Sequence, residues 1–370
     1  MQLTPASDAR TAPPGPAGRR ARLDRPVLAG VIALAGWAVF AAARLAGWAH
    51  GQLSLFIASG TTYSHPALMF PRVGHVKGKG YDGQFYYRFA LDPFDWHPTA
   101  SGITIDHPYR YTRIGYSVVA WLLSGGGQGP VLPLVLVLVN LASVAAMAWL
   151  GGLLARDSGR HALWGLLFAV YFGLVISVGR DTSEPLADAC LLGGLLTYRR
   201  RRYGLAAVLI GYAVFTNEPV LVLPVALGLT RLGQLGRGRA RPGPPDLAWA
   251  APGLVYLLLQ GIQHAVVAGT AGGVADAAAN LTWPLTALVP GLYRDIHRMS
   301  WTHLGTYDYN LIEFLALAAF VGAGLAVIRS TTAPPHERVA LAGFVLVEVV
   351  LASGQFWNSV FGDGRTYVDA

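Results

Sequence analysis

Apolar runs of about 20 residues, separated by short arginine clusters, recur along the whole chain and leave few folds open to it. A helix needs roughly 20 apolar residues to cross a hydrocarbon core of about 30 Å. Several runs reach that length in a chain of 370 residues that is 53% hydrophobic and 13% charged, whereas a soluble domain carries about 25% charged residues. The sequence predicts an all-α, polytopic membrane helix bundle. Cys190, the one cysteine, lies inside an apolar run, so a disulfide is excluded and the thiol reads as a small buried hydrophobe.

The net charge of +8 is carried by clusters between the runs: Arg19, Arg20, Arg22 and Arg25, then Arg199 to Arg202, then Arg237, Arg239 and Arg241. Short cytoplasmic loops collect Lys and Arg in this way. A nucleic-acid partner would need a basic face on a soluble module, and the chain has no such module, so none is expected. Residues 1–25, rich in Pro, Ala, Gly and Arg, read as a disordered basic cytoplasmic tail. The first apolar run, 26–48, is too long for a signal-peptide core and reads as a retained anchor.

The expected spans are 26–48, 130–154, 161–179, 185–198, 203–215, 218–235, 247–268, 309–328 and 338–353, about nine in a domain of 26–353. The stretch 108–124, PYRYTRIGYSVVAWLLS, is apolar only from Ile114 onward. If it spanned, Arg156, Arg160 and Arg199 to Arg202 would lie outside. As an amphipathic helix along the interface, it leaves every arginine cluster on the cytoplasmic side with the N-terminus, and that arrangement is adopted. A large first loop, 49–129, then faces outward. So do the turns Gly179 to Pro185 (GRDTSEP) and Phe215 to Pro219 (FTNEP), a second loop 269–307, and the polar tail 354–370.

That sidedness collects unusual groups on one face. The first loop carries Gly80 to Arg88, GYDGQFYYR, a carboxylate framed by glycines and aromatics. Asp181, Glu184 and Glu218 end helices on the same side, where ionisable groups at membrane depth are costly and usually functional. Asp82 before Gly83 is also a strong turn signal, and Tyr81, Phe85, Tyr86 and Tyr87 equally suit an aromatic belt. His75, Lys77 and Lys79 are candidate partners of a bound phosphate, with lipid headgroups the better fit for Lys77 and Lys79, while Arg88, Arg110 and Arg113 sit among aromatics and fit headgroups or a bound phosphate alike. Arg180, Asp181, Glu184, Asn217 and Glu218 read either as caps and ion pairs or as substrate contacts, with Pro185 in a first helical turn and Thr216 a cap. The carboxylates are hard oxygen donors, but their spacing supports no metal set, and no cofactor is required. Asp106-His107 is adjacent in sequence without a further signal. There is no helical His-x-x-x-His pair and no phosphate loop.

This organisation resembles the GT-C superfamily of integral membrane glycosyltransferases, which includes protein mannosyltransferases, aminoarabinose transferases and GPI mannosyltransferases. Within it the likeness is to bacterial membrane proteins bearing a YDGQFYY segment, associated with forming cell-surface glycopolymers. It rests on Tyr81 to Tyr87, on Ile105 to Leu123, on Gly179 to Ala187 (GRDTSEPLA) and on Phe215 to Pro224 (FTNEPVLVLP), and covers residues 26–235. The resemblance implies a multi-pass plasma-membrane enzyme that moves a sugar from a polyprenyl-phosphate donor to an extracytoplasmic glycan or lipid-linked acceptor, with inversion. Asp82 then matches the acidic residue of the first loop and becomes the base for the acceptor hydroxyl. Tyr81, Gln84, Arg88, Arg110, Arg113, Arg180, Asp181, Glu184, Asn217 and Glu218 become substrate-binding candidates. Gln84 stands where the frequent Asp-x-Asp form has its second carboxylate, which leaves a divalent cation unassigned.

Two other classes stay open at this level: a flippase or transporter of lipid-linked glycans, which favours polar groups in broken mid-membrane helices, and a non-catalytic subunit of a glycan-assembly complex. The glycosyltransferase reading requires Asp82 and Glu184 to share a face. Single cysteines at 82 and 184, in a Cys190→Ser background, should therefore react with a membrane-impermeant maleimide from the same side; labelling from opposite sides refutes the topology.

Overall fold

The computed structural model describes residues 23–69, 73–171, 173–266, 288–299, 306–329 and 332–350. Residues 1–22 of the expected tail 1–25, the tail 354–370 and most of the second loop lie outside the described residues.

The described residues are mostly helical. Helix α1 is Pro26–Ala46, with proline in its first turn where the missing N–H costs nothing. The first loop holds the short strands β1 (Ser59–Gly60) and β2 (His75–Val76), which pair in parallel, and then α2 (Gly83–Leu91). Strands β3 (Thr99–Ala100) and β4 (Ile103–Thr104) form an antiparallel pair, followed by a 3-10 turn Pro108–Thr112 and α3 (Gly115–Leu123). The bundle continues with α4 (Leu132–Asp157), a 3-10 segment Ala162–Ala169, α5 (Gly173–Gly179), α6 (Glu184–Arg199) and α7 (Tyr203–Thr216). After the 3-10 turn Glu218–Leu221 come α8 (Val222–Gly236), α9 (Leu247–Val266), α10 (Leu288–Arg298), α11 (Thr306–Arg329) and α12 (Pro335–Val350).

Helices occupy the nine stretches expected to span, as far as these are described, but length and apolarity qualify fewer. Three pass: Pro26–Ala46, Leu132–Asp157 and Glu218–Gly236. Ala162–Ala169 and Gly173–Gly179, expected as one span, are bent by 67° and make a fourth if they cross together. Helices α6 and α7, with 16 and 14 residues, reach only about 24 and 21 Å at 1.5 Å per residue.

The stretch 108–124 is also not the single helix expected. Pro108 opens a 3-10 turn, the backbone leaves helical geometry at Arg113 (φ −106°, ψ 46°), and only nine residues from Gly115 are α-helical. The break follows from packing. At Gly115 a Cβ would overlap Thr216 Oγ1 and crowd the backbone of Phe215 and Thr216. Arg110, Tyr111, Thr112, Tyr116, Ser117 and Ala120 are buried, so this segment lies against protein along much of its surface.

Contacts sort the helix ends into two groups. At one end Asp24 Oδ1 accepts from the Ala162 N–H at 2.7 Å, Arg200 pairs with Asp157 at 3.0 Å, and Arg199 pairs with Glu337 while reaching Ser158 Oγ at 3.1 Å. Arg231 pairs with Asp246 at 2.9 Å, and Leu195, Tyr198, Trp249 and Ala340 share one apolar cluster. The arginine-rich connections therefore gather at this end. At the other end, α2 and α3 pack on each other and on the turns that precede α6 and α8.

Gly83 fixes that second assembly. A Cβ there would overlap the carbonyl oxygens of both Arg180 and Ile57, so the backbone of the first loop is seated directly on the turn between α5 and α6. Overpacking costs typically 1–3 kcal/mol. Gly83→Ala should lower the detergent melting temperature by several degrees, and Gly36→Ala within α1, where an added Cβ meets open space and the backbone is helical, should serve as the control. An unshifted Gly83→Ala melt would show that the loop is not seated there.

Candidate functional site

Asp82 occupies the N-cap position of α2, yet its carboxylate makes no capping hydrogen bond. It turns instead to Arg110: Nη2 donates to Oδ1 at 3.0 Å, and Nη1 lies 2.9 Å from Oδ2 but off line for a hydrogen bond. Arg110 is simultaneously forked onto Asp106, with Nε donating to Oδ1 at 2.9 Å and Nη2 to Oδ2 at 3.1 Å. Its side chain is 4% exposed against 21% for Asp82 and 11% for Asp106. Burial alone would lower the guanidinium's proton affinity; the charges of Asp82 and Tyr109 and the hydrogen bonds to Asp106 and Asp82 together outweigh it and push the pKa well above the ordinary arginine range. Arg110 is therefore a fully charged cation held between two carboxylates, with the Phe85 ring 4.3 Å beneath it.

A second ion pair stands beside the first. Arg113 Nε pairs with Glu218 Oε2, and Thr112 Oγ1 lies 2.7 Å from Glu218 Oε1. Tyr109 separates the two pairs, with Arg110 4.9 Å and Arg113 4.4 Å from its ring centroid. This contact joins the first loop to the 3-10 turn after α7, more than a hundred residues along the chain.

The third contributor is the α5–α6 turn. Arg180 lies over the Tyr81 ring at 4.6 Å. Ser183 Oγ donates to Tyr86 Oη at 2.8 Å. Glu184 Oε2 accepts from Thr182 Oγ1 and, at 3.3 Å, from Ser177 Oγ. Burial pushes the Tyr86 hydroxyl upward, and the charges of Glu184 and Asp82 push the same way against Arg113. One buried phenol thus senses carboxylates from two distant segments, so Asp82, Arg113 and Glu184 occupy one neighbourhood, with Glu218 attached through Arg113.

Other candidates are not brought there. Arg88 is buried on α2, where Nη2 donates to the His97 carbonyl and Phe89 lies 4.6 Å away; burial lowers its pKa. Gln84 points inward and is fully engaged: Oε1 accepts from the Gly60 N–H at 3.1 Å and Ser64 Oγ at 2.9 Å, and Nε2 donates to the Lys79 carbonyl at 2.9 Å. Asp181 is buried in a left-handed conformation, φ +49°. Burial drives its carboxyl pKa well up, with the charge of Arg44 opposing. Asn217 is buried at the end of α7, and its Oδ1 has no hydrogen-bond partner among the described residues. Among the described residues, no three His, Cys, Asp or Glu side chains gather closely enough to hold a metal ion.

Asp106, Tyr109 and Thr112 are the participants that spacing did not single out. The only signal was local: Asp106 and Arg110 are four residues apart, the separation at which opposite charges meet on one helical turn.

No family model, no curated protein and no solved structure matches this chain.

The second ion pair yields a quantitative expectation. Leaving one partner of a shielded pair unmatched costs more than the pair contributes. Arg113→Met should lower stability in detergent, and adding Glu218→Gln should recover part of the loss, giving a coupling of about 1–3 kcal/mol in a double-mutant cycle. Additive losses would show that the two side chains do not interact.

Proposed function

We propose that the protein is a plasma-membrane glycosyltransferase that moves a sugar from a polyprenyl-phosphate donor to an extracytoplasmic acceptor in cell-surface glycan synthesis, with Asp82 as the base. In this reading the arginine-rich end is cytoplasmic, with the N-terminus, and the end bearing Asp82 faces outward. The observation that carries it is the Asp82 carboxylate itself: held by Arg110, partly exposed, and not engaged in capping its own helix.

An inverting transfer has simple requirements. The acceptor oxygen attacks the anomeric carbon while its proton passes to Asp82 Oδ, and the bond from that carbon to the donor phosphate oxygen breaks. The electron pair leaves on the polyprenyl phosphate. Positive charge develops on the sugar ring in the oxocarbenium-like transition state known for glycosyl chemistry. Two carboxylates around one guanidinium leave an excess negative charge beside Asp82, and fixed charge of that sign stabilises such a ring.

The phosphate is a different matter. Arg110 and Arg113 are engaged by carboxylates, so they position the carboxylates rather than offer open cation sites. Lys77 and Lys79, exposed on the segment leading into Tyr81, are cations that in this reading meet the membrane-borne phosphate. The Tyr81 ring beside Asp82 supplies a surface on which a sugar face can stack.

The test is transfer from a panel of polyprenyl-phosphate sugars by purified protein in liposomes. A positioned base contributes about 10²–10⁴-fold, so Asp82→Asn should cut turnover by at least about 10²-fold at temperatures where the variant, less stable through the weakened Arg110 pair, is still fully folded. Wild-type turnover by that variant would remove the proposal.

A further inference from the structure

Asp82 and Asp106 do not share Arg110 equally. Asp106 takes the fork, two hydrogen bonds from Nε and Nη2 at 2.9 and 3.1 Å. Asp82 receives one hydrogen bond from Nη2 and the off-line approach of Nη1. Bidentate guanidinium–carboxylate pairs are the stronger and more directional kind, so the guanidinium is anchored on Asp106 and offered edge-on to Asp82. Asp82 is also the more exposed of the two carboxylates.

This division bears on proton transfer. An arginine devoted to one carboxylate lowers its proton affinity by about 1–3 units, and a second carboxylate nearby raises it. We propose that Asp106 is a positioning residue for Asp82: it anchors Arg110, aims Nη2 at Asp82 and offsets the guanidinium's charge, so that Asp82 is held in place without losing its capacity to accept a proton. The inference rests on the reading of Asp82 as the base and supplies that site with its second carboxylate, from a segment 24 positions downstream of Asp82.

The other charged and titratable groups around Asp82 are Tyr86 on α2, Tyr109 and Arg113 beyond the β3–β4 pair, and Arg180 and Glu184 on the α5–α6 turn. They remain in an Asp106 variant, so the effect of Asp106 is separable from theirs.

Aspartate labelled with ¹³C at the side-chain carboxyl reports the titration of Asp82 in the purified protein, its resonance assigned by Asp82→Asn. Asp106→Asn should lower the Asp82 midpoint by about one unit, and Arg110→Gln, which leaves two facing carboxylates, should raise it. In the transfer assay Asp106→Asn should move the acid limb of kcat to lower pH and reduce kcat up to about tenfold with KM nearly unchanged, and Asp106→Glu should restore most of the rate. An Asp82 titration that Asp106→Asn leaves in place overturns the inference, whatever the transfer assay gives. If Asp82→Asn keeps full turnover while Asp106→Asn still lowers the midpoint, the base assignment fails and the coupling stands. Should Asp106→Asn not fold, Arg110→Gln compared with Arg110→Gln/Asp106→Asn isolates the Asp106 charge: the Asp82 midpoint should lie lower in the double variant, and equal midpoints overturn the inference.

Discussion

A guanidinium removed from water costs several kcal/mol unless carboxylates replace the lost hydration, and Arg110, at 4% exposure, is the side chain that imposes this condition on the first loop. Its partners come from two segments: Asp82, 28 residues before it, and Asp106, four residues before it. Satisfying one cation therefore brings the start of α2 onto the turn that precedes α3. The geometry of the rest of the site follows from that closure. With α2 fixed, Tyr81 meets Arg180 and Tyr86 meets Ser183. With the 3-10 turn fixed, Arg113 meets Glu218.

The loop is consequently part of the bundle's outer structure rather than an appendage. Two glycines without side chains allow its backbone to sit against the bundle turns, Gly83 on Arg180 and Gly115 on Thr216. Two ion pairs then hold positions that close packing has set. At the opposite end the arrangement is different in kind. Arg199–Glu337, Arg200–Asp157 and Arg231–Asp246 tie neighbouring helix ends together, and Arg200 and Asp157 are substantially exposed, where an ion pair contributes only a fraction of a kcal/mol to about 1 kcal/mol. There the pairs join one helix end to the next, whereas at the Asp82 end they join a loop to the bundle, and both ends shield part of their paired charge.

Burial also sorts the polar candidates into two kinds. Gln84 satisfies three partners of the β1–β2 region and so gives the loop its shape. Arg88 serves the aromatic cluster around Phe89 and Tyr111 on the far side of α2. These residues belong to the same nine-residue stretch as Asp82, but a helix rotates successive side chains by about 100°, so neighbours in sequence face different surroundings. Asp82 escapes that sorting because it stands at the helix start, where its side chain turns to Arg110 and stays partly exposed.

The sequence by itself determined the helical, membrane-type composition and the approximate position of each long helix, because apolar run length and glycine, proline and arginine punctuation are local signals. It also marked Asp82, Arg110, Arg113, Arg180, Glu184 and Glu218 as charges in unusual surroundings. It did not determine that 108–124 breaks into a turn and a nine-residue helix, since the cause is the close approach of Gly115 to Thr216. Nor did it reveal Asp106 as the second carboxylate, because the position two residues after Asp82 holds Gln84 and the pairing runs through a side chain on another segment. Which cation meets which carboxylate is decided by desolvation within a three-dimensional enclosure. That enclosure exists only once distant turns have packed together.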